Sequence, residues 1–486
     1  MFIGLYTSRV ILKGLGFDDY GIYNVVGGFV ALFSVICNSL SGAASRFLNF
    51  ELGKGNIKGT KAVFSTTLTI HIILAITIII LAEIFGTWFL NNKMIIPNDR
   101  LTAANWCFQL SLLTFCSTLI TVPYNAAIIA HERMKAFAYV SLLEGIAKLV
   151  IAILITYSTF DKLILYAILI CILQISVATI YRIYCKRNFQ ECIYSFIYDK
   201  KLLKDIFSYS GWGFIGTTST LLRNQGGDVI INLFFGPTIN AARSIANQIM
   251  NVLNGFVTNF MTAIRPQITQ SYANGEIDYL IKLIYNSTKY SFYLFAFISL
   301  PILMTTEYLL KIWLGDIPDH TVTFVQLTLI FALLDTLSHP SGIAQAATGK
   351  IRNYQLVVSG LQLLNLPISY IFLKLGNIPE TILIISIIIE IVCIYARTYM
   401  LAKLVPIDIV YFIKHIIFKT LIVFITALIL PLIGKNLIHI DNIGSFIILI
   451  IISLLSTTIS ILIIGCNKEE RSFIFNKTAT LLNIRQ

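Results

Sequence analysis

The chain has 486 residues, of which 57% are hydrophobic and only 12% charged, with a formal net charge of +12. Soluble domains ordinarily carry about 25% charged residues, so a water-soluble fold of this length would expose apolar surface on every side. Composition therefore excludes a large soluble catalytic domain and calls for a polytopic, all-α membrane protein.

Met1 to Leu12 is an apolar run without the small-residue cleavage site of a signal peptide. It is shorter than the roughly 20 residues that span a bilayer. The reading is a partial first membrane helix, continued upstream; an interfacial segment is the alternative. Apolar runs separated by turn and charge clusters follow at 21–50, 60–90, 101–130, 136–158, 161–185, 205–235, 238–272, 282–314, 320–347, 353–374, 379–402, 414–433 and 443–465. With the first completed, about 14 transmembrane segments are expected. The eight cysteines are scattered, with no C-x-x-C pair, and predict neither a metal site nor a disulfide framework.

Basic residues are distributed unevenly between alternate connections. One side carries 25, including Arg397 and Lys289, and the other carries 8, with Lys148, Arg223 and Arg243 inside apolar segments. By the positive-inside rule the richer side is cytoplasmic, and so are both termini. The net charge is then topology rather than a nucleic-acid footprint.

The chain also repeats. At an offset of 217, Gln109, Leu110, Pro123, Ala127 and Ala130 fall on Gln326, Leu327, Pro340, Ala344 and Ala347. At 220, Gly16, Ala43, Gly55 and Ile57 fall on Gly236, Ala263, Gly275 and Ile277. Six segments per repeat predict two pseudo-symmetric bundles inserted in the same sense. The expected organisation is an N-lobe at 1–187, a linker at 188–204, a C-lobe at 205–403, and two further helices with a tail at 404–486.

No connection is long enough for a folded catalytic domain, so no enzyme is expected. GKGNIKGTK at 53–61 fails the order of a phosphate loop and joins two membrane helices; it reads as a basic turn. The informative residues are charges at membrane depth, which are costly and face a bundle interior or a watery cavity. Lys148 lies about 20 Å from the Arg133–Lys135 loop at 1.5 Å per residue, too deep for easy snorkelling. It lines a cavity, or is neutralised by Glu144 one turn earlier. Arg223 and Asp228 lie five residues apart and so do not share a helix face. Arg9 and Arg243 sit nearer segment ends, where snorkelling competes with cavity lining. Asn247, Asn251, Asn254 and Asn259 form a polar stripe. Glu390, His71 and the Asp335/His339 pair read as buried hydrogen-bonded residues, with proton or ion handling as the sharper alternative. Three to four cations at depth favour an anionic substrate, and arginine forks suit phosphate or pyrophosphate.

LYTSRVILKGLGFDDYGIYNVVGGFVALFSV with SGAASRFLNFELGKGN, VPYNAAIIAHERMKAFAYVSLLEG, and GPTINAARSIANQI at 236–249 resemble Wzx-type O-antigen and polysaccharide flippases of the MOP superfamily. The resemblance covers nearly the whole chain, through diffuse motifs. It implies a MATE/MOP-like fold of six, six and two helices in a bacterial inner membrane. It also implies movement of undecaprenyl-pyrophosphate-linked oligosaccharide to the periplasmic leaflet by alternating access. By that analogy the pyrophosphate meets Arg9, Lys148, Arg223 and Arg243, and Asp228, Glu144 and Glu390 serve in ion pairing or coupling. No cofactor or metal is implied; an ion gradient or the membrane potential is the expected drive. Implied partners are the lipid-linked oligosaccharide, the bilayer, and a polysaccharide polymerase with its chain-length machinery. A multidrug exporter of the same superfamily, a lipid II flippase and a membrane glycosyltransferase are the competing readings. The cationic interior argues against the first, and the lack of a long external loop against the last.

Overall fold

The computed structural model describes residues 7, 10–11, 13–16, 19–23, 26, 34–92, 96–438, 442–472 and 476. Arg9 and most of the expected first segment lie outside them. Among the described residues there is no strand. The helices are α1 (Ser34–Gly53), α2 (Ile57–Asn92), α3 (Leu101–Ala130), α4 (Met134–Tyr157), α5 (Lys162–Asn188), α6 (Lys200–Asn274), α7 (Ile277–Leu314), α8 (Thr321–Ala347), α9 (Arg352–Lys374), α10 (Thr381–Ala402), α11 (Ile409–Leu437) and α12 (Ile443–Gly465).

Ten of these, α2 to α5 and α7 to α12, are long and apolar enough to cross a membrane. Their bounds match the apolar runs to within a few residues. α6 is two arms joined at Gly236, whose φ of 77° and ψ of −172° break the helix. Only glycine takes that conformation without strain, so the turn between the two expected segments shrinks to a single hinge residue. α1 and the arms of α6 are less apolar, with Asn38, Arg46 and Asn49 in the one and Arg223, Asp228 and Arg243 in the other.

Hydrophobic side chains on the outer surfaces are exposed: Leu233 by 71%, Val229 by 60% and Ile425 by 60%. Such patches are not tolerated in water and mark a lipid-facing surface. The protein is an all-α membrane protein. Serine and threonine hydroxyls inside helices mostly donate to the carbonyl three or four residues back, as Thr67 does to Val63 and Thr77 to Ile73. A helix can carry them in lipid because the donor is satisfied within its own turn.

The helices form two compact units, Met1–Thr218 with Tyr272–Asn274, and Ser219–Ser271 with Gly275–Gln486. In the first, α3 packs on α5 through small residues, Ala126, Ala127 and Ala130. The approach is close enough for Cys185 Sγ to meet the Tyr124 carbonyl at 3.5 Å. Phe64 meets Tyr124 edge-on, with centroids 5.2 Å apart. On the less basic side, Arg100 bridges Asp19 (Nε–Oδ1 2.8 Å) and Asp161 (Nη1–Oδ2 2.6 Å), and Asp161 also caps α5. In the second unit, α11 and α12 pack on each other and on α7. Ser456 donates to the Ala427 carbonyl at 2.8 Å, and Phe292 meets Phe424 edge-on at 6.2 Å.

The backbone carries the repeat. Gly16, Gly55, Gly236 and Gly275 all have positive φ, at 83°, 65°, 77° and 76°. These are two pairs at the offset of 220, and in each repeat the second glycine precedes a helix that starts two residues later, at Ile57 and Ile277. The match in rare backbone conformation is stronger than the scattered identities that first indicated it.

At the end of α5 the chain is tied back to α3. His131 Nε2 pairs with Glu191 Oε1, and the His131 ring stacks on Phe189 at 4.0 Å. The histidine hydrogen bond holds the Glu191 carboxyl below the ordinary glutamate range, against an opposing effect of burial. A depressed pKa means the stabilisation is present above the unfolded value and drains away as pH falls through the folded one. We expect Glu191→Gln to lower amide-exchange protection across residues 189–198 about tenfold, or ~1.4 kcal/mol. Acidification below the glutamate range should do the same to the unaltered protein but not to the variant. Equal protection in both at neutral pH would show that the tie contributes nothing.

Candidate functional site

α8 is interrupted at Leu337–Ser338, where the backbone turns before a second helical stretch begins at His339. Pro340 occupies the first turn of that stretch, where its missing N–H costs nothing. Asp335 and His339 flank the break one turn apart, with Asp335 Oδ2 and His339 Nε2 at 3.1 Å. Opposite them, α10 presents Glu390 and Arg397. Seven residues are two turns, so both project from one face.

Arg397 Nη1 lies 3.1 Å from Glu390 Oε1 and 3.6 Å from Asp335 Oδ1. Ser338 Oγ donates to the same Glu390 oxygen at 3.1 Å. Glu390 is 1% exposed and Arg397 7%. Glu390 Oε2 and Arg397 Nε have no hydrogen-bond partner among the described residues. Arg223, on the first arm of α6, lies over the Phe331 ring at 5.0 Å, within electrostatic reach of Asp335 and Glu390. It makes no ion pair among the described residues.

If both carboxylates are ionised and the imidazole is neutral, Asp335, Glu390, Arg223, Arg397 and His339 sum to zero. One proton gained makes the cluster +1, and buried charge is costly without a partner. The cluster can therefore exchange a proton, or swap internal ion pairs for an external one. The open Glu390 oxygen and the unpaired Arg223 are the two handles for that.

Arg243, on the second arm of α6, does not snorkel, although its place near a segment end allows it. It is 6% exposed, its Nε lies 3.1 Å from Asp228 Oδ1, and its Nη2 donates to the Asn224 carbonyl at 3.3 Å. The two arms fold against each other at Gly236, which brings residue 243 beside residues 224 to 228. Gly227 makes the approach possible, since a Cβ there would collide with the Arg243 guanidinium. Arg223 and Arg243 feel one another electrostatically. The second unit thus gathers Arg223, Arg243, Asp228 and Glu390 into one polar region.

Lys148 and Glu144 belong to the first unit. Lys148 Nζ donates to Glu144 Oε1 at 2.7 Å, and Gln174 donates to the same oxygen at 2.8 Å. The lysine is therefore neutralised one turn away on its own helix. His71 is buried, with Nδ1 2.7 Å from the Thr67 carbonyl.

Two basic residues counted with the loops prove to be buried. Arg397 belongs to the cluster, and Lys289 pairs with Glu470 beyond α12, whose Oε1 also accepts from the Tyr290 hydroxyl at 3.0 Å. Both sit within seven residues of the end of an apolar run, 282–314 and 379–402, which makes them look solvated. The seven-residue step from Glu390 to Arg397 is the signal that could have found the cluster.

A family model described as polysaccharide biosynthesis protein matches residues 3–272, more than half of the chain. The chain belongs to the polysaccharide biosynthesis protein family. It is also similar to EpsK, an uncharacterized membrane protein of Bacillus subtilis (strain 168), at 20% identity over 321 residues. That match covers 65% of this chain and 62% of the relative, so it spans less than two thirds of the relative's length. Among solved structures, a MOP-superfamily transporter from Pyrococcus furiosus, described as having a binding pocket of reversed polarity, aligns with a TM-score of 0.70 at 13% identity. It covers 85% of this chain and 94% of its own. A multidrug resistance MATE family transporter of the same superfamily, in an outward-facing conformation, gives 0.67 at 14%, covering 83% and 94%. At such identity these likenesses establish the fold, which is that of the MATE/MOP transporters. Family and fold together make the protein a membrane protein of polysaccharide biosynthesis built on that fold.

Proposed function

We propose that the protein moves a lipid-linked oligosaccharide with a pyrophosphate link, an undecaprenyl-pyrophosphate repeat unit, from the cytoplasmic to the periplasmic leaflet of a bacterial inner membrane by alternating access. The observation that carries the reading is Arg223, a guanidinium in a membrane-embedded arm that stacks on Phe331 without an ion-pair partner among the described residues. An arginine so placed presents a planar fork to an incoming phosphate group. Arg243 one helix arm away adds charge, and Arg9 and Lys148 are proposed to extend the path. The Glu144 contact makes Lys148 the weaker member, because its charge is already balanced.

The cluster of Asp335, His339, Glu390 and Arg397 would couple transport to a proton or another ion. Binding of the pyrophosphate at Arg223 removes a cation from the field of Glu390 and favours proton uptake there; release reverses it. Asp228 would act through its hold on Arg243. No cofactor is invoked. The basic loops would face the cytoplasm, and polymerase and chain-length proteins would receive the product.

The test is leaflet-resolved flipping of fluorescent undecaprenyl-pyrophosphate oligosaccharide in proteoliposomes. The unaltered protein should accelerate it, and Arg223→Ala should remove at least nine tenths of the gain at equal reconstitution. Wild-type flipping by Arg223→Ala, or transport of cationic dyes with no movement of the lipid-linked glycan, would refute the proposal. The second result would make the protein a drug exporter.

A further inference from the structure

The first unit contains a cavity of about 670 Å³ that the transport reading does not use. It lies between α1, α2, the extended stretch 196–198 that leads out of α5, and the first turns of α6. α2 contributes one face through Thr66, Thr69, Ile70, Ile73, Leu74 and Thr77, a run of three- and one-residue steps that keeps to a single helical stripe. α6 contributes Leu203, Phe207, Ser210, Gly211 and Phe214. Phe196, Phe207 and Ile73 are more than half exposed. The lining is hydrocarbon along nearly its whole length, and the volume is that of a small-molecule pocket.

Two polar atoms lie closed off behind it. Thr66 Oγ1 and Ser210 Oγ are buried and have no hydrogen-bond partner among the described residues. Their neighbours differ: Thr69 is satisfied by the Ser65 carbonyl at 2.9 Å and the Tyr194 hydroxyl at 3.2 Å, and Thr77 by the Ile73 carbonyl at 2.9 Å. Thr66 is nine residues into α2 and Ser210 ten into α6. Both helices start from the side of the basic loops, so at 1.5 Å per residue both hydroxyls lie about 14–15 Å along. Beyond them the groove continues as pure hydrocarbon toward Thr77 and Phe214.

The near end is cationic. Lys200, Lys201 and Lys204 are exposed at the start of α6. Lys200 shares the stripe of Leu203 and Phe207, and Lys204 that of Phe207 and Gly211. Asp199 is occupied in capping the helix, accepting from the Lys201 and Leu202 amides at 2.9 and 3.0 Å. Asp205 is engaged electrostatically with Arg46. A helix N-terminus adds further positive potential.

Cations at one end and hydrocarbon beyond them is the order of groups in an anionic glycerophospholipid: phosphate, then acyl chain. We infer that this groove is a binding site for one anionic glycerophospholipid, with its phosphate at Lys200, Lys201 and Lys204 and an acyl chain between α2 and α6. The lipid would brace the stretch 196–198 against α2.

The experiment is native mass spectrometry of the whole protein released from nanodiscs of equal phosphatidylglycerol and phosphatidylcholine. The unaltered protein should retain one phosphatidylglycerol with at least fivefold preference. Gly211→Trp fills the groove, because a Cβ at Gly211 meets nothing within 4 Å, and it should cut retention at least tenfold. The triple change K200Q/K201Q/K204Q touches only exposed side chains, so folding is not at stake, and it should abolish the preference. Retention without headgroup preference, or unchanged retention in the lysine variant, overturns the inference. So does replacement of phosphatidylglycerol by undecaprenyl phosphate supplied at equal concentration, which would make the groove a seat for a prenyl chain.

Discussion

Replacing Arg397 with leucine should destabilise the protein by about 3–5 kcal/mol, the cost of leaving buried charges without their partner. Arg397 is the only cation that touches both Glu390 and Asp335 among the described residues, at 3.1 and 3.6 Å. Leucine keeps the volume and removes the charge, so the buried Glu390 carboxylate and the partly buried Asp335 carboxylate then face each other. Glu390→Gln in the same chain removes one of them, leaving Asp335 with its His339 contact. We therefore expect the double variant to recover at least half of the loss, a coupling well above the ~0.5 kcal/mol seen for independent sites. Denaturation of purified protein in detergent, read on all four members of the cycle, measures this directly. Additive losses would mean that the three side chains are neighbours without being a unit. The functional readout is separate: Glu390→Gln alone should retain the fold but remove the dependence of flipping on an imposed pH gradient.

The membrane segments were legible because the bilayer reduces the problem to one variable. Every spanning helix must be apolar for about 20 residues, and α3, α8 and α12 begin and end within a residue of the apolar runs. The repeat was legible for a similar reason: a helix start after a left-handed glycine is a local requirement, so Gly55 and Gly275 survive where the intervening sequence drifts. The site was legible only in part. Lys148, Arg223 and Asp228 stood out because charge at depth is rare, and the Lys148–Glu144 contact follows from helical spacing alone. The partner of Asp228 did not follow, because it comes from the other arm of α6 and depends on the hinge at Gly236. Arg397 is not legible as a site residue because closeness to a segment end normally means solvation. A bundle end can be as dry as its middle when neighbouring helices close over it, and no one-dimensional pattern records which ends those are.

Gly227→Ala should leave stability within about 1 kcal/mol of the unaltered protein and yet lower flipping at least tenfold, as Arg243→Ala should. Two effects oppose each other at this position. Alanine in a helix interior is favoured over glycine by about 1 kcal/mol. Against that, the added methyl would overlap the Arg243 guanidinium, which is buried against Asp228 and the Asn224 carbonyl. The end of an arginine can swing aside where a backbone could not, so the clash is relieved by moving Arg243 rather than by parting the arms of α6. The fold keeps its helix gain, loses the ion pair and comes out near even, while the charge offered to the substrate moves. This makes Gly227 a positioning residue, acting through Arg243. The measurement is flipping rate and thermal midpoint for Gly227→Ala, Arg243→Ala and the exchange Asp228→Arg with Arg243→Asp. A position-dependent role predicts that Gly227→Ala and Arg243→Ala fail together. Normal flipping by Gly227→Ala beside a dead Arg243→Ala would show that charge anywhere in the region suffices, and the Asp228 contact would then be only structural.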